Sequence, residues 1–221
     1  MPDLPRRFRL LAFDWDGTLA DSTALIAGAL QQTCREMGLA VPDDTAAKHV
    51  IGLGYRDSIR YLAPTLENHH HAHFTERFGA HYLTGDASIP LFDGVHEMLA
   101  ELEARGFLLG IATGKSRRGL SRVLEQHGIA HRFGVSRCAD EGFPKPHPDM
   151  LLALMDQAGV EPDATLMIGD TTHDLQLARN AGVASLAVAY GAHPPQGLVE
   201  MKPLATVHSI AELRAWLATH A

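Results

Sequence analysis

Asp14 and Asp16 stand two apart where an apolar run, residues 8–13, gives way to polar sequence, and Asp170 closes a second apolar run at residues 165–168. Side chains i and i+2 of an extended chain leave the same face, so a strand ending here aims both carboxylates one way. Two ionised carboxylates about 4 Å apart repel by roughly 4 kcal/mol at an effective dielectric near 20. Asp170 adds a third charge, and one lysine, Lys145, cannot neutralise the group. A divalent cation can. Hard, all-oxygen ligands favour magnesium, which keeps several waters and often binds through one or two carboxylates plus a phosphate. A turn before Gly17 would account for Asp14 and Asp16 alone, but not for Asp170 and Asp174 as well.

Thr113-Gly114-Lys115 follows a third apolar run and precedes a helical pattern. A hydroxyl, an unencumbered amide and a nearby helix N-terminus make an anion cradle, although strand-Thr-Gly-helix junctions also occur for purely structural reasons. Lys145 lies between Pro144 and Pro146, which stiffen the loop and restrict where the ammonium can point. The alternative for any single lysine is a solvated surface position.

The elements that must position these residues alternate. Strands are expected at 8–13, 107–113, 134–138, 165–168 and 185–189, with a last strand–helix pair at 205–218. Helices are expected at 93–105, 116–127, 147–158 and 172–181, each closed by a glycine. Such alternation implies an α/β, Rossmann-like, mostly parallel sheet with helices on both faces, and ligands of open parallel sheets bind at the strand carboxyl ends. Residues 21–86 look helical throughout, with candidates ending at Gly38 and at 43–50, 56–63 and 67–82. The expected division is a core of residues 1–20 and 87–221 with an inserted all-helical unit, 21–86, standing over that edge. Residues 88–93 and 140–148 are the loop-rich stretches.

A chain of 221 residues can bury a sizeable core. A net charge of −7 argues against a broad nucleic-acid footprint. No apolar run approaches bilayer length, and the basic start ahead of residues 8–13 is cut short by Asp14. Cys34 and Cys138 form no CxxC pair, which suits a reducing cytoplasm. A cytoplasmic protein without nucleic-acid or membrane partners is expected.

Phe13-Asp14-Trp15-Asp16-Gly17-Thr18-Leu19 resembles the first motif of the haloacid dehalogenase superfamily of phosphohydrolases. Thr113 corresponds to the second motif, Lys145 to the third, and Gly169-Asp170-Thr171-Thr172-His173-Asp174 to the fourth. The resemblance spans essentially the whole chain and is nearest to phosphoglycolate-phosphatase-like members with a helical cap. About thirty residues separate Thr113 from Lys145, which leaves no room for the larger alternative cap. Trp15 stands where the family more often has an aliphatic residue, and only a packing change is expected there.

The resemblance implies that Asp14 attacks phosphorus and becomes an aspartyl phosphate. It makes Asp16 the acid for the leaving oxygen and then the base for water. Magnesium would be bound by Asp14, the main-chain carbonyl of Asp16, and Asp170. Thr113, the Gly114 amide and Lys145 would hold phosphoryl oxygens, with Asp174 orienting a metal-bound water or Lys145. Dehalogenases of the superfamily lack an acid at the Asp16 position, since halide leaves without a proton.

The implied activity is hydrolysis of a small phosphorylated metabolite, with the cap selecting it. Alternatives are a sugar-phosphate mutase, which uses the same carboxylate pair, and a catalytically silent binding module. Arg56, after Gly52 and Gly54, is the cap candidate for an anionic substrate group, against a solvated helix face. His69 and His73 have i, i+4 spacing that can bind a transition metal, but no supporting acid or cysteine pattern accompanies them.

Overall fold

The structure, a computed structural model, describes residues 7–86 and 89–221. The expected boundary at 86/87, the start of the 88–93 turn and the first six residues lie outside the described residues.

Strand β1 (Leu10–Phe13) is buried along its whole length. Leu10 and Ala12 join one apolar cluster, whereas Leu11 and Phe13 join another. A strand covered on both faces must read as a continuous apolar run, and this one does.

After β1 come α1 (Thr23–Glu36), α2 (Asp44–His49), α3 (Tyr55–Leu62) and α4 (His71–Asp86). The rest alternates: α5 (Val95–Ala104), β2 (Leu108–Thr113), α6 (Arg117–Gln126), β3 (Val135–Cys138), α7 (Asp149–Ala158), β4 (Thr165–Gly169), α8 (Thr172–Asn180) and β5 (Ala184–Val188). The chain closes with α9 (Pro195–Glu200), β6 (Thr206–Val207) and α10 (Ile210–His220). The sheet order is β3-β2-β1-β4-β5-β6, and every pairing is parallel. The α/β expectation holds. Strand order reverses direction at β1, so the crevice beyond the carboxyl ends of β1 and β4 is the site that topology favours for a ligand.

Helices α1–α4 are inserted between β1 and β2, and their apolar face continues the core rather than closing on itself. Ile26 and Leu30 of α1, Ile59 of α3 and Phe74 of α4 belong to the same cluster as Leu11 and Phe13. Trp15 packs into this cluster, 1% exposed.

The structure departs from the sequence pattern most at two helix starts and one added helix. The helix expected at 67–82 begins only at His71, after a single tight turn at Asn68–His70, and runs to Asp86. The helix expected from residue 147 starts at Asp149, because Pro148 takes the capping position and disfavours helical geometry in the residue before it. Helix α9 was not expected, since six residues beginning at a proline carry no apolar period.

Candidate active site

Asp14 is the first residue beyond β1, and its backbone N–H donates to Ile168 O of β4 at 2.9 Å, which fixes it at the strand switch point. Its Oδ1 accepts from Lys145 Nζ at 2.5 Å. The same ammonium donates to Asp174 Oδ1 at 2.7 Å. Asp174 is in turn held by the α8 cap: its Oδ2 accepts from Thr171 N at 3.0 Å and Thr171 Oγ1 at 2.7 Å. Asp170, just past β4, accepts from Thr18 Oγ1 at 2.9 Å and Ala192 N at 2.7 Å. Gly17 and Gly191 wall this carboxylate so closely that a Cβ at either position would collide with it. Gly17 also has φ 82°, the left-handed region that favours glycine.

Asp14, Asp170 and Asp174 each present an oxygen within 4.8 Å of the others, and all three are buried. The Asp14 carboxyl is raised to about 7: burial pushes it up, Lys145 pulls it down, and Asp174 and Asp16 push it up. Asp170 is raised well above the usual carboxylate range by burial, then by Asp14 and Asp174. Burial works against the Lys145 ammonium, but Asp14 and Asp174 outweigh it and hold its pKa above that of an ordinary lysine.

The group remains short of positive charge, and Asp14 Oδ2 is buried with no hydrogen-bond partner. An unpaired buried anionic oxygen is strongly disfavoured. The all-oxygen donor set and this orphaned atom fit a hard divalent cation.

Asp16 behaves differently. The strand ladder ends at Phe13 and the chain turns at Gly17, so extended geometry does not carry through to Asp16. Its carboxylate accepts from Ser22 Oγ at 2.7 Å and pairs with Lys115 Nζ at 3.1 Å. Lys115 also donates to Tyr82 Oη of α4 at 2.7 Å. The expectation that Asp14 and Asp16 aim one way is therefore corrected: the third carboxylate beside Asp14 and Asp170 is that of Asp174. Asp16 instead faces a cavity of about 290 Å³ between the inserted helices and the start of α6.

Thr113 is buried at the end of β2 and accepts from Lys115 N at 3.2 Å. Gly114 lines the cavity, and a Cβ there would lie 3.0 Å from Gly52 O of the inserted unit. The residues named from sequence at 14, 113, 145, 170 and 174 thus share one sheet edge, with Asp16 between that edge and the cavity.

A family model for haloacid dehalogenase-like hydrolases matches residues 11–188. The chain belongs to this family. A phosphoglycolate phosphatase from Vibrio vulnificus is 35% identical over 219 residues, covering 94% of this chain and 95% of that protein. An N-acetylmuramic acid 6-phosphate phosphatase from Pseudomonas putida is 30% identical over 85% of this chain and 86% of that one. A haloacid dehalogenase-like family hydrolase from Streptococcus pneumoniae has a TM-score of 0.81 at 25% identity, covering 95% of this chain and 98% of that one. The chain is accordingly a phosphoric monoester hydrolase.

Within this haloacid dehalogenase-like hydrolase, two sequence candidates lie away from the cavity. On α3, Tyr55, Ser58 and Ile59 face it at i, i+3, i+4 spacing, whereas Arg56 falls on the exposed side. The cations that line the cavity are Lys115, Arg118 and Arg122, all from the stretch after β2. His69 lies in the turn before α4 and His73 within α4; they pair with Glu67 at 3.2 Å and Glu76 at 3.7 Å. They do not share a regular helix face. Among the described residues, the histidines close enough to group are His49, His173 and His193.

That trio was not foreseen. His173 Nε2 and His193 Nε2 both donate to the backbone O of His49, at 2.7 and 3.1 Å. His193 Nδ1 accepts from Thr172 N at 3.1 Å. Burial pushes His193 down to about 4 and lowers His173 as well, which favours the neutral form of both rings. They tie the end of α2 to the start of α8, which carries Asp174, and to the loop between β5 and α9. His173 was readable beside Asp174, but His49 and His193 are 144 residues apart and carry no local signal.

Proposed function

We propose that this hydrolase is a magnesium-dependent phosphatase that cleaves a small phosphomonoester through an aspartyl phosphate on Asp14. The observation that carries the reading is the buried Asp14, held at Oδ1 by Lys145 and unpartnered at Oδ2, beside Asp170. Asp14, the main-chain carbonyl of Asp16, and Asp170 would hold the ion, which supplies positive charge that offsets the phosphoryl oxygens and the clustered carboxylates.

The chain's own residues divide the remaining work. Lys145 orients Asp14 for in-line attack and, with Thr113 and the Gly114 amide, stabilises charge on the phosphoryl oxygens. Asp174 holds Lys145 in place. Asp16 faces the cavity, so it is placed to protonate an alcohol leaving on that side and then to take a proton from the water that hydrolyses the intermediate. Residues 21–86 act as the cap that selects the alcohol part, over a core of 1–20 and 87–221. Two unpaired, buried cysteines accord with a reducing cytoplasm.

The test is phosphate release from small phosphomonoesters with magnesium, with chelator, and with Asp14→Asn. Release that needs both the ion and Asp14 is expected. Release that survives chelation or Asp14→Asn would overturn the reading.

A further inference from the structure

The cavity beside Asp16 has a chemistry of its own. Its wall on the inserted helices is apolar and aromatic, including Ile59, Phe74 and Phe78. Phe78 lies against Tyr82 with ring centroids 5.8 Å apart and against Tyr55 at 6.0 Å. Two large apolar residues that line it, Tyr55 and Leu83, are left 42% and 52% exposed. The opposite wall, on α6, presents Arg118 and Arg122. Arg118 is exposed, and no hydrogen bond or ion pair engages it among the described residues. A concave, mostly apolar pocket with a few polar groups is the usual form of a small-molecule site.

Magnitudes separate the possible occupants. A space of about 290 Å³ equals roughly ten waters at ~30 Å³ each. The alcohol part of phosphoglycolate is a methylene and a carboxylate, which would fill little of it. Beside Asp16 the nearest cation of the lining, Lys115, is already paired with Asp16 at 3.1 Å, so a second carboxylate there would meet Asp16 and an apolar wall with its countercharge already shared. The arginines stand farther along α6: from the cap residue Ser116 the helix rises about 3 Å to Arg118 and about 9 Å to Arg122. An anion that reaches them must be carried on a longer body.

We propose that the substrate is the phosphate monoester of a bulky amphipathic alcohol. Its flat apolar part would lie on the Phe74–Phe78 wall, and a second anionic group would be held by Arg118, with Arg122 one turn on. Hydrolysis consumes water and releases the alcohol and inorganic phosphate, with the alcohol proton supplied by Asp16. This inference rests on the phosphatase reading and goes beyond it by naming the substrate class.

The test uses three esters of primary alcohols, which keeps leaving-group chemistry alike: phosphoglycolate, benzyl phosphate and 4-(phosphonooxymethyl)benzoate. With magnesium, kcat/KM should rise in that order. Benzyl phosphate should exceed phosphoglycolate by roughly tenfold or more, the scale expected for covering a ring. Arg118→Gln should shrink the ratio of the carboxylated to the plain benzyl ester toward one, and its exposed position spares the fold. Phe78→Ala, with Phe78→Leu as the milder variant, should shrink the ratio of benzyl phosphate to phosphoglycolate. Phosphoglycolate turned over as well as the benzyl esters, or ratios unmoved by these variants, would overturn the substrate class and leave the phosphatase reading intact. Phosphate released from none of the three would overturn that reading itself.

Discussion

Lys145 Nζ lies 2.5 Å from Asp14 Oδ1, and neither side chain has appreciable contact with solvent. The same ammonium reaches Asp174 at 2.7 Å, so one cation is shared between two carboxylates while Asp170 stands close by. The arrangement orders Asp14 yet leaves the cluster short of positive charge. Both properties suit a residue that must attack a phosphoryl group with a divalent ion alongside.

Lys145→Met should therefore damage both stability and catalysis. Removing one partner of a buried ion pair typically destabilises by about 3–5 kcal/mol. The remaining carboxylates can escape by protonation, so the loss should be larger near pH 8 than near pH 5. Thermal unfolding of the metal-free proteins at both pH values checks this. An equal loss at both would mean that Lys145 is not compensating carboxylate charge.

Magnesium should stabilise the protein, and more so at higher pH. Asp14 is raised to about 7, above its ordinary value, so the proton-linked stability it contributes is present at low pH and lost as pH rises through about 7. The ion favours the ionised form and replaces that lost contribution. At about a hundred times its Kd, a ligand adds ~2.7 kcal/mol. The magnesium-induced rise in Tm should be larger near pH 8 than near pH 6, and Asp170→Asn should diminish it. A rise independent of pH, or unaffected by Asp170→Asn, would place the ion elsewhere.

Asp16→Asn should give a defect that depends on the leaving group. General acid catalysis is typically worth about 10²- to 10⁴-fold. An alkyl ester, whose alkoxide needs a proton, should suffer in that range, while an aryl ester that departs as a phenolate should suffer less. Steady-state kinetics on both ester types tests this. Equal defects would assign Asp16 to structure, through Ser22 and Lys115.

Much of this site was legible because parallel strands buried on both faces must be written as apolar runs. The residue types that follow β1, β2 and β4 therefore stand out as polar chemistry at strand ends. What was not legible depends on distant packing or on a local turn. The direction of Asp16 is set by the chain reversal at Gly17 and by contacts to Ser22 and Lys115. Arg56 and Arg118 are alike as sequence, but which one meets the cavity depends on how α3 and α6 are rotated against each other. The histidine trio joins three segments that have no common motif.

The acid limb of stability should report that trio. Burial, aided by the neighbouring His173, pushes His193 down to about 4, below its ordinary value near 6.5. Between those values the unfolded chain binds more protons, so stability is lost as pH falls toward about 4. His193→Gln removes the titration, and its Tm should fall less steeply than wild type from about pH 7 to pH 4. Parallel curves would show that His193 contributes nothing to acid sensitivity.

The central claim is that Asp14 carries the phosphoryl group. Mixing enzyme with a radiolabelled phosphomonoester and magnesium, then quenching in acid within one turnover, measures it directly. Wild type should show label bound as a hydroxylamine-sensitive acyl phosphate on the peptide containing Asp14. Asp14→Asn should show none, and with an aryl ester, whose phenolate leaves without a proton, Asp16→Asn should accumulate more than wild type because the attacking water has lost its base. Label retained by Asp14→Asn, or located on another residue, would contradict the account.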